Sequence, residues 1–114
     1  MGRVRFLSDW SHEQDGNIHS GEPLSIEYSE ERLPSCRARR YGRDAWNITA
    51  GVRFHPNGTE DDTLVSSGLL TVDVPSDATK VELWFKNTDQ TGCVAWDSRY
   101  GQNYWLDITQ PSPA

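Results

Sequence analysis

The ten residues from Trp46 to His55 constrain this chain more than any other stretch: Trp46, Ile48, Ala50, Val52 and Phe54 take alternate positions, with Asn47, Thr49, Arg53 and His55 between them. A period of two sends the two sets to opposite faces of an extended strand, so a half-buried antiparallel strand is predicted here, with Trp46 in the core. Further alternating or β-branched runs occupy residues 4–7, 23–28, 64–74, 80–86, 93–96 and 102–108. Each is bounded by Gly, Pro, Asn, Asp or Ser, as at Pro56-Asn57-Gly58 and Pro75-Ser76-Asp77. Short strands at this spacing predict an all-β fold, specifically a two-sheet antiparallel β-sandwich. No segment carries a helical period, an internal repeat or a linker. The 114 residues are read as a single β-sandwich domain over 1–110 followed by a flexible tail at 111–114.

The same alternation sorts the later strands. Val81, Leu83 and Phe85 fall on one face and Glu82, Trp84 and Lys86 on the other; Tyr104, Leu106 and Ile108 oppose Asn103, Trp105 and Asp107. Trp84 and Trp105 are therefore expected to point outward from strands that can be neighbours. With Trp96 and Tyr100 they would offer flat rings to the C–H face of a sugar, while Asp97, Gln102 and Asn103 hydrogen-bond its hydroxyls. These seven residues are the expected ligand site, with carbohydrate as the expected partner and docking of another protein chain on the same patch as the rival.

Charge and motif content narrow the alternatives. Seventeen acidic and eleven basic side chains give a net charge of −6, which speaks against nucleic acid as a partner because phosphate binding draws on lysine and arginine. The local run of Arg37, Arg39, Arg40 and Arg43 reads as a solvated loop before it reads as an anion site. No stretch is apolar for long enough to cross a bilayer, and no signal-peptide core follows Met1, so no membrane partner is expected. His12, His19 and His55 lack metal-ligand spacing, and no nucleophile motif is present, so neither catalysis nor a cofactor is expected. Calcium has incomplete candidates at Glu60, Asp61 and Asp62 and around Asp97 and Asp107. Cys36 and Cys93 leave a disulfide, worth ~3–4 kcal/mol, and buried free thiols both open. Pairing would favour a secreted or cell-surface location.

Two resemblances add to this reading. Trp96-Asp97-Ser98-Arg99-Tyr100-Gly101-Gln102-Asn103-Tyr104 resembles the Trp-Asp-Asn-Asn-x-Gly-x-Asn-Tyr segment of starch- and glycogen-binding modules, with Ser98 and Arg99 in place of the asparagine pair. That resemblance implies an immunoglobulin-like sandwich and a sugar site. Over most of the chain, Arg32-Leu33-Pro34-x-Cys36-Arg37, Trp46-x-Ile48-Thr49 with Arg53-Phe54, and Gly92-Cys93-x-Ala95-x-Asp97-Ser98 with Gly101-x-Asn103 resemble a small bacterial domain family of unknown function. Both cysteines belong to that pattern, which implies a structural role for them.

Overall fold

A computed structural model describes residues 2–65, 68–89 and 91–110, and they form an all-β protein. One four-stranded sheet joins β1 (Gly2–Phe6), β2 (His12–Asp15), β4 (Pro23–Tyr28) and β9 (Leu69–Asp73) in the order β2-β1-β4-β9. A six-stranded sheet joins β3 (Ile18–His19), β12 (Tyr104–Thr109), β10 (Lys80–Asp89), β7 (Trp46–His55) and β8 (Glu60–Leu64) in that order, with β11 (Val94–Asp97) also paired to β10. A separate hairpin, β5 (Arg39–Arg40) with β6 (Arg43–Asp44), carries three of the four arginines expected in a loop, and Arg37 lies just before it. A 3-10 turn at Glu30–Arg32 is the one helical element among the described residues.

The alternation is realised as expected in the longest strands. Ile48, Ala50, Val52, Phe54, Val81, Leu83 and Phe85 are buried, and β7 pairs with β10 along all ten positions from Lys80↔His55 to Asp89↔Trp46. Inner side chains of both sheets join in one core, where the Phe85 ring lies 4.0 Å from Tyr28 and 4.9 Å from Phe6. Trp46 is partly rather than wholly buried: it packs on the core's edge with the Arg37 guanidinium 4.3 Å from its ring.

Several expectations need correction. Two pairings, β1 with β4 and β3 with β12, are parallel, so the sheets are mixed rather than purely antiparallel. The run at 64–74 is broken, its start ending β8 in one sheet and its remainder forming β9 in the other. Glu60, Asp61 and Asp62, outside every expected strand, form the edge strand β8 with Thr63 and Leu64, where charged side chains discourage pairing with another chain. The tail expected at 111–114 lies outside the described residues.

Cys36 and Cys93 are joined by a disulfide across 57 residues, which ties the segment before β5 to the β10–β11 turn. The Asn87 amide donates to the carbonyls of Ser35 and Cys36 at 2.8 and 3.3 Å, and the Ala38 N–H donates to Asp89 at 3.2 Å. The bridge fits an oxidising, extracellular setting. Among the described residues no helix is long and apolar enough to cross a membrane.

Candidate functional site

Strand pairing decides where the expected site residues go. On one side of β10, β12 pairs up to Leu83↔Tyr104 and β11 resumes at Phe85↔Asp97, so the six residues 98–103 leave the ladder opposite Trp84. Arg99, Tyr100 and Gly101 follow one another in left-handed backbone at φ 48°, 58° and 86°. This conformation costs a residue bearing a side chain on the order of 1–2 kcal/mol, and such strain concentrates at ligand clamps. The excursion is closed at its base by the Asn103 N–H donating to the Ser98 carbonyl at 2.6 Å. It carries Tyr100 at its tip, fully exposed.

Facing this loop is the turn between β1 and β2, which presents Trp10 at φ 72° and 60% exposed. Trp96, on β11, is 59% exposed. Trp10, Trp96 and Tyr100 surround a cleft of about 770 Å³, completed by His12, Ser98, Arg99, Tyr104 and Asp97. Trp10 was not anticipated, because it stands alone in a turn where no periodicity marks a facing direction.

The floor of the cleft is a buried charge network. Arg32 is 1% and Asp97 3% exposed. The Arg32 Nε donates to Asp97 at 2.9 Å, Nη1 donates to the carbonyls of Leu7 and Ser11 at 2.9 and 3.0 Å, and Nη2 donates to the Tyr104 hydroxyl at 2.7 Å. Asp97 also accepts from the hydroxyls of Tyr28 at 2.7 Å and Tyr104 at 2.5 Å. One guanidinium therefore holds both walls, the Trp10 turn through Leu7 and Ser11 and the β11–β12 side through Asp97 and Tyr104. Its carbon lies 5.0 Å from the Trp10 ring centre. Burial, reinforced by the Asp97 carboxylate, pushes the Tyr104 hydroxyl up to about 12 and raises Tyr28 further. Burial, with the Arg32 and Arg99 charges, holds His12 below its ordinary value, so its imidazole is neutral at neutral pH.

The seven expected site residues thus separate into groups. Trp96 and Tyr100 line the cleft, with Gln102 exposed in the same loop. Asp97 lies beneath the cleft rather than on its rim, because alternation from the outward Trp96 turns it inward opposite Phe85. Trp84 and Trp105 stand on the outer face of the larger sheet, as alternation predicts, but both rings are engaged. Trp84 covers Gly51, where an added Cβ would fall 1.9 Å from the indole, and the Arg53 guanidinium lies 5.2 Å from its centre. Trp105, 48% exposed, stacks on His55 at 4.8 Å and donates its indole N–H to the Gln102 carbonyl at 2.9 Å.

Asn103 turns away from solvent and donates to Glu82 at 2.6 Å. Glu82 is buried on this face and also meets His55 at 2.9 Å and Arg53 at 3.3 Å. Burial opposes its charge, but these partners outweigh that and hold its carboxyl below the usual range. The acidic groups weighed for calcium do not converge: Glu60 pairs with Arg53 at 2.5 Å, Asp107 with Lys80 at 2.8 Å, and Asp97 with Arg32. Among the described residues no group of three or more His, Cys, Asp or Glu side chains could hold a metal ion.

No curated protein and no solved structure matches the chain. A family model matches residues 1–109, a span that takes in every strand described above. The chain belongs to a family of unknown function, DUF6209.

Proposed function

We propose that this protein is a non-catalytic carbohydrate-binding domain, a two-sheet sandwich of immunoglobulin-like type that works in a secreted or cell-surface setting. The observation that carries this reading is the convergence of three largely exposed rings, Trp10, Trp96 and Tyr100, on one cleft whose walls are braced by a single buried arginine. Exposed aromatics are costly to leave unused and suit the C–H face of a sugar ring, while Ser98, Arg99 and His12 supply polar partners for hydroxyls. Binding is favoured over hydrolysis because glycoside cleavage uses two carboxylates. The cleft has one, Asp97, and it is committed to Arg32, Tyr28 and Tyr104.

Pull-down on insoluble polysaccharides, followed by titration with soluble oligosaccharides, tests this directly. Retention that Trp96→Ala removes supports the proposal; no binding across a broad glycan panel overturns it. The same exposed rings also suit a protein-docking patch, since aromatic residues dominate interface hot spots. That reading predicts a concentration-dependent oligomer, or a heteromeric complex, that Trp96→Ala dissolves.

A further inference from the structure

Electrostatics in the cleft are opposite in sign to those of the molecule. The chain carries a net charge of −6, yet the one carboxylate in the cleft lining, Asp97, is balanced by the guanidinium it touches. The Asp9 carboxylate, next to Trp10 in sequence, is outside the lining and accepts from the Ser11 N–H at 3.0 Å and the Ser11 hydroxyl at 2.5 Å. What remains uncompensated in the lining is Arg99, exposed on the left-handed segment of the loop. A second cation stands close by: the Lys86 ammonium lies 5.6 Å from the centre of the Trp96 ring. The site therefore pairs a stacking wall with positive charge, on a protein whose overall charge repels anions.

We infer that the cleft is specific for an acidic sugar, its ring stacked on Trp96 and its carboxylate held by Arg99. The inference rests on the carbohydrate-binding reading and narrows it to one class of ligand. A guanidinium presents a planar fork that matches a carboxylate in two parallel hydrogen bonds, which a neutral hydroxyl cannot reproduce. Lys86 adds longer-range attraction beside the same ring. The asparagine pair of the starch-binding pattern would offer hydroxyl-directed amides at these positions; Ser98 and Arg99 substitute a small hydroxyl and a cation.

Calorimetric titration of the intact protein with oligogalacturonate and oligoguluronate, beside neutral cello- and malto-oligosaccharides, distinguishes the outcomes. Acidic oligosaccharides are expected to bind at least tenfold more tightly than neutral ones, and to weaken as salt is raised. Arg99→Gln is expected to weaken the acidic ligands by about 10- to 100-fold, the range of a charge-assisted hydrogen bond, with the melting temperature unchanged because the side chain is exposed. Arg99→Lys is expected to recover part of the loss, and Trp96→Ala to remove binding of every sugar.

Equal or tighter binding of neutral oligosaccharides, or an Arg99→Gln variant that binds acidic ones normally, overturns the inference and leaves the carbohydrate reading standing. Acidic binding that survives Trp96→Ala but disappears in Arg39→Gln/Arg43→Gln overturns it by placing the anion on the β5–β6 hairpin. Failure of both sugar classes overturns the inference and the reading beneath it.

Discussion

At the residue scale the cleft depends on Arg32, whose guanidinium is out of water yet satisfied through Nε, Nη1 and Nη2. Removing one member of a buried ion pair leaves the other charged and unsolvated, so Arg32→Met is expected to destabilise the fold by about 3–5 kcal/mol. Urea denaturation measures it; a loss within ~0.5 kcal/mol, the usual range of a surface substitution, would mean that the pair does not form in solution. The sequence displayed Arg32 and Asp97 in one pattern but not their meeting, because contact across 65 residues leaves no local period. Asp97 was expected to hydrogen-bond a sugar instead, whereas in β11 it takes the position after the outward Trp96 and alternation turns it toward the core. Trp10 had no comparable signal, since its position depends on how one turn packs against another.

At the scale of elements, long alternating strands were legible and polar ones were not. The run at 46–55 coincides with β7, whereas β2, β5, β6 and β8 carry too little apolar surface to mark a face, and tertiary pairing alone makes them strands. Outward directions for Trp84 and Trp105 were also legible, but not what covers them. Because Trp84 lies over Gly51, Gly51→Ala is expected to lift the indole and cost about 1–3 kcal/mol, read as a lowered Tm. An unchanged Tm would contradict that packing. The two buried hydroxyls under the cleft set a limit at high pH. In the unfolded chain a tyrosine loses its proton near pH 10, while in the fold Tyr104 retains its proton to about 12 and Tyr28 beyond. The stability they contribute is therefore complete below pH 10 and falls as pH rises above it, by up to ~1.4 kcal/mol per pH unit for each tyrosine, with the share of Tyr104 gone by about pH 12 and that of Tyr28 still falling there. Stability measured by urea titration between pH 9 and 12 checks this, and a flat profile would contradict it.

For the whole molecule, two mixed sheets share one core, and a disulfide fastens the segment before β5 to the β10–β11 turn. Sequence spacing allowed the bridge without deciding it, because only the fold brings positions 57 apart together. Cys36→Ser/Cys93→Ser is expected to lower stability by ~3–4 kcal/mol, the loop-closure entropy returned to the unfolded chain, and chemical denaturation measures it. No loss would contradict a bridge that restrains the unfolded chain. The claim that the cleft between the Trp10 turn and the 98–103 loop is the binding surface meets its most direct test in the indole N–H resonances of the five tryptophans, followed by NMR as an acidic oligosaccharide is added. Progressive shifts of Trp10 and Trp96, with Trp46 and Trp84 nearly stationary, are the predicted result; shifts confined to Trp84 and Trp105, or none at saturating sugar, would contradict it.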